Sequence, residues 1–384
     1  MRADGKRKAV CMEEDLRRAK QYATSKIRLM VLQLLLTAVF LILILFSGVS
    51  SLLKGLVAGW SGNLYLQVGL YLAIFGGIYY LLFIWLDFYG DFLLEHKFGL
   101  SNQTVTDWLK KSIKKALLSL LLVLVAVEGL YLFLRHFPNH WWLLATAAWV
   151  LFAIVLGKIA PVLIIPLFYK CSPLANEELK GRLLVLCKNC GVGIERVFEI
   201  QLSKETQKAN AAVAGLGKGR RILLSDTLLE SYCDDEIEAI FAHELGHIRL
   251  LHTWKILGVG TVISLAGFYL TFLLFKASVS LLGFAEIYDI SAFPALSLIL
   301  MIVGLVFMPV QNGYLRYLEK QADMFAGGHI QSKHSFISAI RKLGEQNLSD
   351  PSPGKLVEFL LYDHPSISKR VHYLSKENAR RSEL

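Results

Sequence analysis

Six uninterrupted apolar runs constrain this chain more than anything else in it: residues 29–46, 64–86, 116–134, 142–168, 256–275 and 291–310. A helix needs about 20 apolar residues to cross a hydrocarbon core, and inside lipid only a helix or a closed barrel satisfies its own backbone hydrogen bonds. The runs therefore predict a mainly α, polytopic helical integral membrane protein. The bulk figures agree: 54% of residues are hydrophobic and 19% charged, with a mean hydropathy of +0.48, which excludes an ordinary soluble globular chain. The first run is too long for a cleaved signal peptide, and the stretch after it, FSGVSSLLKGLVAG, stays amphipathic. It reads as a retained anchor.

The chain carries 41 Lys and Arg against 31 Asp and Glu, a net charge of +10. Placement decides what that excess means. Nine basic residues fall in 1–28, then one, five, one, twelve and one in the successive loops, eleven after residue 310, and Lys158 inside the fourth run. Rich and poor loops alternate without exception, the positive-inside pattern of six spans with both termini in the cytosol. A nucleic-acid partner would need a basic, aromatic-bearing patch on one folded unit, and charge dispersed in this way excludes it. Glu128 and Lys158 stand inside apolar runs, where charges are costly and face a polar interior or each other. Asp87, Asp91 and Glu95 repeat every four residues at the cytosolic end of the second run and read as a solvated or ion-paired stripe. The five cysteines (Cys11, Cys171, Cys187, Cys190, Cys233) do not make a disulfide framework. The C-x-x-C of Cys187 and Cys190 lacks the second pair of a zinc ribbon.

The runs divide the chain into an N-terminal membrane region (1–168), a cytosolic segment (169–255), a transmembrane hairpin (256–310) and a second cytosolic segment (311–384). Residues 169–255 predict a small α+β domain: a helix in ANEELKGRLLVLCKNCGV, then strands in RVFEIQLS, KANAAVAG and RRILLSDTLL, the last two parted by the turn Gly217-Lys218-Gly219. A helix follows, capped by Asp234 or Asp235, with EIEAIFAHELGHIRLLHTW as its body.

Within it lies His243-Glu244-Leu245-Gly246-His247, an H-E-x-x-H. Two histidines four apart share a helix face and can chelate one zinc ion, while Glu244 is placed to act as general base on the attacking water. A catalytic zinc site takes a third protein ligand and leaves one position open. The metzincin place for that ligand, ten residues after His243, holds Thr253, and Leu250 stands where that class has glycine, so the class is excluded. His252 falls on a different face of a continuous helix. Glu319 remains, with Asp323 one turn further along to hold a zinc histidine in its tautomer. Topology supports the pairing. The fifth and sixth runs form an antiparallel hairpin; His247 lies nine residues before the fifth begins and Glu319 nine after the sixth ends. If both helices continue past the membrane, both ligand sets sit roughly 13 Å above it.

These residues resemble a known family, the integral-membrane type I CAAX prenyl endopeptidases, which are gluzincin-type zinc metalloproteases. The resemblance runs from about residue 64 onward. It is carried by EHKFGLSNQT (95–104), APVLIIPLF (160–168), KANAAVAGLGKGRRILLSDTLLE (208–230), AHELGH, RYLEKQAD (316–323) and HPSISKR (364–370). It implies one Zn2+ on His243, His247 and Glu319, with Glu244 as catalytic base. It also implies a substrate strand lining the cleft at Asn210 and Ala211, and the return of His364 and Arg370 to the site, His364 stabilising the oxyanion. Eukaryotic members have seven spans around a chamber, whereas this chain shows six. The chain ends ARRSEL, without a dibasic ER-retrieval signal, which favours a bacterial inner membrane over the ER. The expected substrate is a peptide or protein, prenylated at its C-terminus by the resemblance. Cleavage of other membrane-associated peptides is the alternative, and a non-catalytic zinc-bearing scaffold or transporter is the rival from another class. Glu244 separates them, because a structural zinc site needs no base.

Overall fold

Every apolar run becomes a helix that overshoots the bilayer. In the computed structural model, which describes residues 2–382 except Glu195 and Leu216, with side chains for 13–376 apart from those two and Lys218, six helices are long and apolar enough to span. The Cys11 side chain lies outside the described residues. Helix α1 (Arg2–Phe46) reverses at Gly48, whose φ of 80° a side chain would resist, into the amphipathic α2 (Val49–Trp60). Helix α3 (Leu64–Phe88) is capped by Asn63, which accepts from the Tyr65 and Leu66 amides, and runs on through a π turn to Lys97. Helix α4 (Val105–His136) starts on Thr104, and α5 (Trp141–Ile159) continues through a second π turn to Phe168.

Then comes the small domain: β1 (Cys171–Pro173), α6 (Glu177–Asn189), β2 (Val197–Ile200), β3 (Ala211–Ala214), β4 (Arg221–Ser225), α7 (Asp226–Ser231) and α8 (Asp234–Arg249). The sheet order is β1-β2-β4-β3, with β2 and β4 parallel and the outer pairs antiparallel. Strand β3 is therefore an edge. Leu183, Ile222, Leu224, Phe241 and Leu245 form the core beneath, with Cys187 and Cys190 buried among them. Four points differ from the sequence reading. The strand expected over RRILLSDTLL stops at Ser225, where helix α7 begins. Strand β1 was not anticipated. Cys233, not Asp234 or Asp235, caps α8, through a reciprocal box in which the Glu236 carboxylate accepts from the Cys233 amide. The zinc-motif helix also does not flow into the fifth span: it ends at Arg249, and Leu251, at φ 57°, turns the chain into α9 (His252–Leu281).

Helix α10 (Phe293–His329) is continuous from the membrane to the site; α12 (Lys355–Leu361) and α13 (Ile367–Ser382) pack on it, while α11 (Lys333–Gln346) packs on α8 and α13. Each span packs on the next and the sixth on the first, closing a ring in chain order. Between α1 and α3 the seam is Phe40 against Phe75, Tyr79 and Phe83, with Thr37 and Tyr79 hydroxyls 2.9 Å apart. Between α5 and α9, Trp141 meets Phe268 and Phe272. Glu128 Oε1 lies against Gly69, the second oxygen is buried without a partner, Lys158 is exposed, and the two form no ion pair among the described residues.

Of the stripe's two readings, solvated or ion-paired, Glu95 takes the second and serves as a joint. It is buried and accepts from Tyr22 (2.6 Å), Lys26 (2.7 Å) and Lys208 (2.8 Å), tying α1 and the end of the second span to the chain entering β3. Beside it the Asn102 amide donates to Glu205 O, and the Gln207 amide to Leu100 O. The segment 95–104 thus fastens the small domain to the membrane helices.

Candidate metal centre and active site

Helix α8 lies on α10 at unusually close range, and Gly246 is why: a Cβ there would stand 3.1 Å from Ala322 Cα and 3.2 Å from its carbonyl oxygen. That approach lets Glu319 reach the α8 histidines. His243 and His247 face each other with Nε2 atoms 3.1 Å apart, and Glu319 puts Oε2 3.2 Å from the first and Oε1 3.3 Å from the second. The three ligand-capable atoms fall within 4.8 Å of one another.

The donor set fits a metal ion. Glu319 Oε2 is buried and accepts no hydrogen bond, and His243 has its Nδ1 2.8 Å from Asp323 Oδ1, so that Nε2 is left with a lone pair. Two imidazole lone pairs and a carboxylate pointed at one spot repel unless a cation lies between them. Without one, the imidazole gathers the proton: although burial works against it, Asp323 and Glu319 push His243 up to about 9. Burial would raise Glu319, but His243 and His247 hold it far below the usual carboxylate range.

Asp323 is wholly buried and takes Arg370 at 2.8 and 2.6 Å through two guanidinium nitrogens, together with the Tyr373 hydroxyl. Glu244 stands next to the cluster with Oε2 accepting from the Val213 amide at 3.2 Å, on the free edge of β3. Burial lifts its carboxyl above the usual range, partly countered by His243 and His247. His364 approaches from the far side, Nε2 3.4 Å from Glu319 Oε1 and Nδ1 2.8 Å from Asp363, whose carboxylate raises the imidazole above its ordinary value. Asn210 and Ala211 line the same cleft of about 440 Å3, whose apolar wall is Ile240, Phe336, Ile340 and Leu343. The strand is held from behind: Asn347 pairs its amide with both backbone groups of Ala209 at 3.0 Å, and the Asn210 amide donates to Ser225 Oγ. The structure thus brings seven of the nine sequence-nominated residues to the lining of one cleft, with His247 and Asp323 beside His243 at its edge.

Sequence reasoning missed four participants. Gly246 and Asn347 carry no reactive group and gave no signal. Tyr373 is a turn beyond Arg370 on an amphipathic helix, where an aromatic reads as core. His252 was set aside because a continuous helix points it elsewhere; the turn at Leu251 brings its Nδ1 3.0 Å from His247 Nδ1, buried at 1% exposure and pulled down to about 4, by burial first and His247 second.

Residues 6–170 match the family described as CAAX prenyl protease N-terminal, five membrane helices, and residues 173–378 match peptidase family M48. The chain is 30% identical to a Bacillus subtilis protein named "Uncharacterized metalloprotease YhfN", over 94% of this chain and 85% of the relative. It is 32% identical to CAAX prenyl protease 1 of Saccharomyces cerevisiae, over 74% of this chain and 67% of that protein. The human CAAX prenyl protease 1 homolog is 29% identical over 74% and 69%. The crystal structure of S. mikatae Ste24p shares the fold, with a TM-score of 0.83 and 24% identity over 94% of this chain and 89% of that one. With family matches along nearly its whole length and a His-His-Glu cluster inside the matched peptidase region, the chain belongs to the CAAX prenyl protease group of peptidase family M48 and is a membrane metalloprotease.

Proposed function

We propose that the chain is a zinc metalloendopeptidase acting at the cytosolic membrane face, with His243, His247 and Glu319 as ligands and Glu244 as general base. One observation carries the reading: Glu244 stands beside the ligand cluster and is held by the Val213 amide of an open strand edge, where an extended peptide would lie. When bound, zinc supplies a Lewis acid that polarises the scissile carbonyl and makes water more acidic. The chain does the rest. By the period of a strand, Ala211 shares the free edge with Val213 and pairs with the substrate main chain. Glu244 takes a proton from water as its oxygen adds to the carbonyl carbon, then returns that proton to the amide nitrogen as the C–N bond breaks. His364, whose hold on its proton Asp363 strengthens, donates to the oxyanion, worth about 3 kcal/mol for a fixed donor. Asp323, held by Arg370, keeps His243 in the ligating tautomer.

The substrate reading is removal of a C-terminal tripeptide from prenylated CAAX proteins, which the names of the yeast and human relatives support. A second reading, cleavage of non-prenylated membrane peptides in a bacterial inner membrane, is favoured by the Bacillus subtilis relative that matches 94% of the chain. Purified wild type and Glu244→Ala are compared for bound zinc and for cleavage of a farnesylated CAAX peptide beside its unprenylated form. Zinc retained with cleavage lost supports the mechanism; cleavage surviving Glu244→Ala sinks it. Equal cleavage of both peptides removes prenyl specificity.

A further inference from the structure

His243 has a carboxylate behind it, whereas His247 has another histidine. The two Nδ1 atoms of His247 and His252 are 3.0 Å apart and share one proton. Its owner decides what His247 offers on its other side. If His252 carries the proton, His247 Nδ1 accepts, and the neutral ring must bear its hydrogen on Nε2, aimed at Glu319 and His243. If His247 carries it, Nε2 keeps its lone pair and His252 must place its own hydrogen on Nε2, where it needs an acceptor. Gln321 Oε1 is that acceptor, at 3.2 Å, and the Gln321 amide nitrogen donates onward to Tyr317 Oη at 2.9 Å.

We propose that His252 and Gln321 are positioning residues that set the tautomer and ring orientation of His247, as Asp323 does for His243. The inference rests on the metal-site reading above. Helix α10 then supplies Glu319 in front, Asp323 behind His243, and Gln321 behind His252, the α9 residue that backs His247. The left-handed Leu251 fits the same role. Five residues along a continuous helix would turn His252 about 140° away from His247. The break is unfavourable for a non-glycine residue, and it delivers the imidazole to the back of its neighbour.

The test uses full-length protein purified in detergent and reads zinc affinity by chelator competition, with the cobalt-substituted electronic spectrum as a second, activity-free readout. Partners behind metal histidines are commonly worth about 10–100-fold in affinity. His252→Phe is expected to lose that much, while His252→Asn, which can accept from His247 and donate to Gln321, recovers most of it. Gln321→Met weakens zinc and Gln321→Glu, still an acceptor, does not. Thermal midpoints of the metal-free forms separate folding from ligation, and if His252→Phe does not fold the Gln321 pair decides. Wild-type zinc affinity in His252→Phe, or equal losses in Gln321→Met and Gln321→Glu, overturns the relay and leaves the metal site standing. Wild type that holds no zinc overturns the metal reading and the relay with it.

Discussion

Asp323 takes donors from Arg370 and Tyr373 and stands 2.8 Å from His243 Nδ1 in a place water does not reach. Removing Arg370 strands a buried carboxylate, so Arg370→Ala is expected to cost about 3–5 kcal/mol in chemical denaturation. Arg370→Lys should restore little, because a point charge cannot replace a two-pronged contact. Unchanged stability in Arg370→Ala would refute this. Asp226 gives a pH signature. Burial would raise its carboxyl, but the Ser203 hydroxyl and the amides of Leu202, Ser203 and Thr227 hold it low. Its folded value lies below its unfolded value of about 3.9, so its contribution is complete above that pH and is lost as pH falls through the folded value. Asp226→Asn should flatten the acid limb of the melting-temperature profile; an unaltered limb would exclude Asp226 as its source. Asp323 could be found in the sequence because it sits one turn from Glu319. Asp226 could not, since apart from the neighbouring Thr227 its partners lie more than twenty residues away.

Among the elements, the contact of α8 with α10 depends on the missing side chain at Gly246. Gly246→Ala pushes a methyl into the Ala322 backbone and the Phe325 ring, an overpacking cost of about 1–3 kcal/mol that also draws Glu319 away from the histidines. Lower zinc affinity alongside lower stability is the expected result; a loss of stability with zinc affinity untouched would show that the approach does not serve ligation. The spans, α8 and the reach of α10 were legible because apolar runs and i, i+4 spacing are local signals. The turn after α8 was not: Leu250 and Leu251 are neither the Gly nor the Asn that marks a left-handed residue. Strand β1 was hidden for a related reason, since three residues ending in proline show no alternation and pair only through β2.

For the molecule as a whole, the ring of spans and the Glu95 joint make one body of membrane helices and small domain. The ring could not be read from the sequence, because which faces of near-uniformly apolar helices meet is settled by partners such as Phe40 with Phe75. Helix α10 gives this body a physical dependence of its own. It rises from the apolar span into the candidate cleft as 37 continuous residues, so hydrophobic thickness becomes a coordinate of the proposed metal centre. Spans tilt to match thinner or thicker bilayers. Ten residues separate Pro309 from Glu319, and on an arm of about 15 Å a tilt of about 10° would swing the carboxylate by roughly 3 Å. Pro309 interrupts the ladder where the helix leaves the apolar run, a joint at which tilt below can be taken up before it reaches the ligand above. Turnover in proteoliposomes should vary little with acyl-chain length for wild type and steeply for Pro309→Ala. Identical profiles would remove the joint from the account; divergent ones would mean that the proline buffers the chemistry against the fatty-acid make-up of the cell.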